Sequence, residues 1–234
     1  INGVTLWLRA DKGISPDAGT SVDLWEDQSG KGHHAKQDIL PTARPTLGSF
    51  SNGVPAVDFA GNRWLENVTT SLVGPKAAYT VLTVGQGPAT PAGPVFAIRR
   101  SAYYSASVFS TAAPAVAGKM IVHSDSLNNT FIADITPAVT VPFQSVHAYL
   151  GGSTPLEIYV NGVNRPLDAV SYGQVAETGL LGFDVGVCVP NTTNPAYNQY
   201  WNGKIAELVV VDGALTPADR AEWDAYAKAR YALP

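Results

Sequence analysis

The sequence predicts an all-β sandwich or barrel closed by one helix, and three observations carry that prediction. Strand-like runs recur from start to finish, separated by clusters of Gly, Pro, Asn and Ser. Charged residues make up 15% of the 234, well under the roughly 25% of an average soluble domain, while Gly (22) and Pro (17) are plentiful. Apolar residues at clear helical spacing occur in one segment, Thr216 to Tyr231.

The plainest runs are Val4 to Leu8, Val54 to Phe59, Ala78 to Val84, Val95 to Arg99, Ser105 to Ser110, Lys119 to His123, Thr130 to Ile135, Ser145 to Leu150, Leu156 to Val160 and Lys204 to Val211. Leu156, Ile158 and Val160 alternate with Glu157, Tyr159 and Asn161, so that strand is expected to keep one wet face. Asn161-Gly162 then supplies the positive φ angles of a tight hairpin. Lys204 to Val211 is apolar on both faces except at Glu207, the pattern of a central strand covered on each side. The helix opens with Thr216 as N-cap, Pro217 in the first position and Asp219 in the first turn. Trp223, Tyr226, Ala227 and Arg230 follow at helical spacing as a docking stripe. No repeat, heptad or biased linker divides the chain, so one domain over 1–234 is expected.

A net charge of −4 with scattered Lys and Arg leaves no basic footprint, and nucleic acid is not an expected partner. No apolar run reaches the roughly 18 residues of a membrane span, and Ile1 to Arg9 reads as a strand and not as a signal peptide. The single cysteine, Cys188, excludes an intrachain disulfide and is expected to be a small buried hydrophobe.

Two segments carry a family resemblance. Near the start, Leu6-Trp7-Leu8 precedes Trp25, Asp27, Ser29, Gly30 and Gly32 in the pattern W-x-D-x-S-G-x-G, followed by Arg44-Pro45 and by Asn52-Gly53 leading into Val57, Phe59 and Gly61. Near the end, Ile158-Tyr159-Val160-Asn161-Gly162-Val163 precedes Trp201-x-Gly203-Lys204-Ile205-Ala206-Glu207, then Leu215-Thr216 and the helix. This order resembles the laminin-G-like, concanavalin A-like jelly-roll domains of bacterial and phage surface proteins. The resemblance implies two antiparallel sheets packed face to face with a C-terminal helix, one sheet concave and often holding a glycan. Such a fold hosts lectins, adhesins, glycosidases and lyases, so activity must be argued from residues.

Catalytic signatures do not assemble. Glycosidases of this fold carry alternating carboxylates on one strand, which would place them in a shared cleft, whereas Glu157, Glu177 and Glu207 are isolated. Glu207 is expected to be a structural carboxylate bonded to nearby backbone. The alginate-lyase branch uses an Arg-rich strand and a Gln-x-His pair; here Gln144 lies three residues before His147, a spacing that sends the two to opposite faces of a strand. No G-x-S-x-G elbow is present. His33 and His34 cannot both face one site from an extended chain and read as a surface pair in a loop. For a metal, calcium suits best, with Asp27 and Asp184 as candidate oxygen ligands in turn-rich segments. The turn from Asp27 to Gly32 is equally readable as self-capped, with Asp27 accepting backbone N–H bonds.

Sugar recognition needs flat aromatic faces with polar groups at their edges. Two clusters offer this: Tyr197, Asn198 and Tyr200 in the loop-rich segment before Asn202, and Arg100, Tyr103 and Tyr104. Trp201 aligns with a family position that covers the core, and Trp7, Trp25 and Trp223 are assigned to the core or to helix docking. The expected function is a noncatalytic carbohydrate-binding or adhesive module of a larger extracellular, cell-surface or virion-surface protein. Its partners would be a glycan and the neighbouring domains or chains of the assembly. The alternatives are a structural domain that packs against such neighbours without sugar, and a polysaccharide lyase or hydrolase.

Overall fold

The computed structural model describes residues 1–16, 19–69, 71–72, 78–87, 95–100, 104–110, 119–124, 130–134, 141–149, 156–170, 180–188 and 199–234. For 99–100, 104–110, 119–124, 130–134, 149, 156, 167–170, 180–181, 188 and 199 the description is of the backbone. In chain order the strands are β1 (Val4–Arg9), β2 (Ile14–Pro16), β3 (Val22–Trp25), β4 (Ala35–Lys36), β5 (Thr46–Ser49), β6 (Pro55–Asp58), β7 (Leu65–Asn67), β8 (Tyr79–Gln86), β9 (Phe96–Arg100) and β10 (Tyr104–Ser110). They continue as β11 (Lys119–Ser124), β12 (Thr130–Asp134), β13 (Phe143–Tyr149), β14 (Leu156–Val160), β15 (Val163–Asn164), β16 (Leu167–Val170), β17 (Leu180–Val185), β18 (Val187–Cys188), β19 (Gln199–Tyr200) and β20 (Lys204–Asp212), before helix α1 (Pro217–Tyr231).

The strands form two large antiparallel sheets and a separate two-stranded ladder, β18-β19. Of the two sheets, the smaller runs β15-β14-β13-β8-β20-β6-β5, with β1 also paired to β20; the larger runs β16-β12-β11-β10-β9-β17-β7-β4-β3-β2. Both contribute to one apolar layer that includes Leu6, Leu8, Trp25, Phe59, Leu65, Phe96, Phe183, Leu208 and Val210. The opposite face of the smaller sheet, with Leu82, Val84, Val146, Val209 and Val211, packs on Trp223, Ala227 and Tyr231 of α1. The architecture is therefore a two-sheet sandwich with a helix laid over one sheet. At one corner the sheets join, because Val22 N donates to Pro45 O and Leu47 N to Thr20 O, each at 2.7 Å.

Each strand-like run of the sequence is a strand. The largest displacements of the ends are at β8, which runs on to Gln86, and at β13, which starts at Phe143. As expected, β20 is covered on both faces, and a register shift against β8 between Ile205 and Glu207 marks a bulge at Ala206. Asn161 (φ 51°) and Gly162 (φ 76°) form the predicted hairpin turn. Thr216 caps α1 with a full capping box, its hydroxyl accepting from Asp219 N and the Asp219 carboxylate accepting from Thr216 N. The expected wet face of β14 is partly covered: Glu157 and Tyr159 are half-buried where Ile158 and Val160 are buried. Tyr159 lies against α1, with the Arg220 guanidinium 4.8 Å from its ring centroid, because the helix extends over this edge of the sheet.

The W-x-D-x-S-G-x-G segment has a clear physical role. Trp25 is fully buried and donates from Nε1 to Arg9 O at 2.9 Å. Asp27 accepts from Trp7 N (2.9 Å), Ser29 N (2.8 Å), Ser29 Oγ (2.7 Å) and His33 N (3.0 Å), so its carboxylate ties the turn to β1. Gly30 and Gly32 have φ near +80°, and open space surrounds each, so the requirement there is conformational. His33 and His34 are not a free surface pair: Nδ1 of His33 meets Thr5 O at 2.7 Å, and Nδ1 of His34 accepts from Asp27 N at 3.0 Å. Burial pushes the Asp27 pKa up, but hydrogen bonds from Ser29, Trp7 and His33 hold it below the usual value. Asp27→Ala is expected to cost about 2–4 kcal/mol by stranding these donors, and urea denaturation of the variant measures it.

Candidate functional site

The most site-like feature lies beside β7 in the larger sheet. Leu65 points into the sandwich core, so the alternation of the pleat carries its neighbours Trp64 and Glu66 to the sheet's outer face. A turn through Gly61 and Asn62, both with positive φ, delivers the chain to Trp64, whose N–H donates to Ala43 O at 3.0 Å. Tyr200 meets Trp64 with ring centroids 5.9 Å apart and planes tilted by 47°. Both residues are half-buried, which leaves aromatic surface open to solvent.

The segment bearing Tyr200 is fixed from three directions. Tyr200 pairs with Val187 in the short β18-β19 ladder, Trp201 N donates to Gly186 O at 2.9 Å, and Asn202 Oδ1 accepts from Gly61 N at 3.2 Å. Gly186 is required here: its φ is +81°, and a Cβ would lie 2.2 Å from a Phe59 ring carbon. Across the adjacent ladder Asp184 of β17 is the register partner of Glu66, and Lys36 of β4 partners Glu66 on the other side. A bulge between Leu180 and Phe183 sets this register, and at Gly182 a Cβ would come within 2.1 Å of Asn67 O. Asp184 is completely buried, and Glu66 is half-buried.

Of the sequence-derived site residues, Tyr200 is part of this corner. Tyr197, Asn198 and Tyr103 lie outside the described residues. Arg100 ends β9 and Tyr104 starts β10 in the adjoining strands of one ladder, where the backbone is described. Asp27 and Asp184 stand on different elements, and among the described residues no group of three or more His, Cys, Asp or Glu forms a metal-holding set. Trp64 was not among the candidates. Its signal in the sequence was Trp64-Leu65-Glu66 after the Gly61-Asn62 turn, a short in-out alternation that puts a tryptophan on the outer side.

Glu207 and Gln144, both buried, are engaged structurally. Glu207 is fully buried and accepts from Trp7 Nε1 and from the hydroxyls of Tyr226 and Tyr231; side chains, and not the expected backbone, satisfy it. Gln144 faces α1, donating to Asp224 Oδ1 (2.7 Å) and accepting from Trp223 Nε1 (2.9 Å), whereas His147 lies with Ser145 on the opposite face of β13, as their spacing implied. Burial lowers the His147 pKa to about 3. An unfolded histidine takes up its proton near pH 6.5, so stability is complete above that pH. It declines by about 1.4 kcal/mol per pH unit as the pH falls towards 3. The comparison is urea unfolding at pH 6.5 and pH 5: His147→Gln should flatten this slope, and equal slopes in the two proteins would remove His147 as its source.

No protein-family model matches the chain, and a search of curated proteins finds no match. Solved structures are similar in fold. Domain 4 of an extracellular GH43 arabinanase from Geobacillus stearothermophilus, determined with arabinotriose, superposes with a TM-score of 0.60 at 15% identity, over 94% of this chain and 98% of that one. The binding domain of Paraclostridial mosquitocidal protein 1 gives 0.56 at 8% identity, over 98% of this chain and 53% of that one. Trypanosoma rangeli sialidase, determined with sialic acid, gives 0.50 at 12% identity over 96% of this chain but 33% of that one. These likenesses show a shared β-sandwich fold, over nearly the full length of the arabinanase domain and over part of the other two chains. No helix among the described residues is long and apolar enough to cross a membrane.

Proposed function

We propose that this chain is a noncatalytic carbohydrate-binding module, of the laminin-G-like kind its motifs resemble, within a larger extracellular, cell-surface or virion-surface protein. The observation that carries the proposal is the half-buried Trp64–Tyr200 pair on the outer side of the larger sheet. Its tilted rings offer a clamp for the C–H face of a sugar, and Glu66 and Asn202, each two residues along the chain from one of the rings, supply hydrogen-bonding groups. The arabinanase domain, similar over nearly its whole length, was determined holding a neutral oligosaccharide, which supports a neutral glycan as the ligand. Recognition of this kind needs no cation, since Asp27 is already occupied by protein donors. Melting with and without a chelator is therefore expected to give the same midpoint; a fall on chelation would reveal a metal bound to the native state.

Catalysis on polysaccharide is favoured by one observation. Glu66 and Asp184 are register partners, and such partners have Cβ atoms about 4.5–5.5 Å apart, close to the roughly 5–5.5 Å between the carboxyl groups of a retaining glycosidase. Complete burial keeps Asp184 from contact with a sugar, which favours binding over turnover. A glycan array that includes arabinotriose tests the proposal, and absence of any hit would remove it. Incubation with arabinan, alginate and pectin tests turnover, where sustained release of reducing ends or unsaturated product would overturn the noncatalytic assignment.

A further inference from the structure

Among the described residues, two exposed large apolar side chains are consecutive. Ile39 is 75% exposed and Leu40 46% exposed, in the loop that leaves β4. Single exposed hydrophobes are ordinary, but this pair is held in place by a dedicated set of bonds. The fully buried side chain of Gln37 accepts from both Ile39 N (3.2 Å) and Leu40 N (3.0 Å) through Oε1. Arg44 Nε donates to Gln37 O at 3.0 Å and Ala43 N to Leu40 O at 2.9 Å, closing the loop on itself. Ala43 O in turn accepts the N–H of Trp64. A backbone stapled this firmly loses little entropy on binding, and the Ala43–Trp64 hydrogen bond ties the turn that follows Leu40 to the backbone of Trp64.

We infer that Ile39 and Leu40 form a second, aliphatic subsite next to the Trp64–Tyr200 clamp, so that the site takes an extended neutral oligosaccharide and not a single sugar. This rests on the carbohydrate-binding proposal. The aromatic pair holds one residue by its C–H face, and the stapled loop covers the apolar side of the next. Burying one aliphatic side chain against a sugar corresponds to about tenfold in affinity, so length dependence is the signature of the loop.

The test is titration calorimetry of arabinose to arabinopentaose and glucose to cellopentaose with the full chain, with Ile39→Ser/Leu40→Ser and with Trp64→Ala. Both loop side chains are exposed, so the double variant is expected to fold normally, which its melting curve checks. The parent should bind the trimer about tenfold or more tighter than the monomer. The double variant should lose that gain while keeping the monomer affinity. An undiminished gain in the double variant overturns the aliphatic subsite, and loss of binding in Trp64→Ala then leaves the aromatic site standing. Absence of binding to both series, or affinities that Trp64→Ala leaves unchanged, removes the aromatic site and the subsite with it.

Discussion

Glu207→Ala is expected to destabilise the protein by about 3–5 kcal/mol and to lower its melting temperature by roughly 10 °C or more. The carboxylate is sealed between β20 and α1, where it accepts from Trp7 Nε1 at 2.5 Å, Tyr231 OH at 2.5 Å and Tyr226 OH at 3.0 Å. Truncation strands three donors, one on β1 and two on α1, and each buried donor without an acceptor costs about 1–3 kcal/mol. Native stability is only about 5–15 kcal/mol, so the variant should lose a large part of its stability margin. Glu207→Gln keeps the volume and one acceptor and should fall between the two. Thermal and urea unfolding report the difference; an alanine variant within 1 kcal/mol of the parent would show that apolar contact alone secures the helix.

The same carboxylate marks the tyrosines. Burial first, and then the Glu207 charge, pushes the Tyr226 pKa up to about 12, and Tyr231 moves in the same direction. Tyrosine in the unfolded chain ionises near 10. The stability linked to Tyr226 is therefore complete below pH 10 and lost as the pH rises through 12, and Tyr231 contributes in the same direction. Glu207→Gln removes one cause of the shift, so ultraviolet titration should find the phenols ionising earlier than in the parent.

Trp64→Ala is expected to weaken binding of the recognised oligosaccharide by about 10–100-fold. The indole is the larger half of the aromatic pair, and its removal takes away most of the apolar surface on which a ring can rest. Stability should change far less, because Trp64 is only half-buried and its Nε1 has no hydrogen-bond partner. Tyr200→Phe keeps the ring and should stay within about threefold of the parent. Calorimetry on the three proteins separates the outcomes: equal affinities would place the sugar elsewhere on the molecule.

What was legible in the sequence was mostly local. Asn161-Gly162 specifies its hairpin through two backbone conformations, and Thr216, Pro217 and Asp219 specify the start of α1 through bonds made within one turn. The unbroken apolar run of β20 revealed a strand covered on both faces, because burial on two sides leaves no room for alternation. Short strands such as β4, β7 and β18 escaped notice, since two or three residues cannot display a period. They are the ones that build the site. The meeting of Trp64 with Tyr200 depends on β7 and β19 being brought together by the Gly186 and Asn202 contacts, all between residues remote in sequence. The face taken by Asp184 likewise depends on the bulge at Gly182, which a lone glycine in a strand does not announce.

The most direct measurement follows the five indole N–H resonances of the tryptophans by NMR while an array-selected oligosaccharide is titrated in. The Trp64 signal is assigned by its disappearance in Trp64→Phe. Sugar binding at the proposed corner predicts that this resonance shifts along the binding isotherm, while those of the buried Trp25 and Trp223 stay still. Saturable binding that leaves the Trp64 resonance unmoved would contradict it.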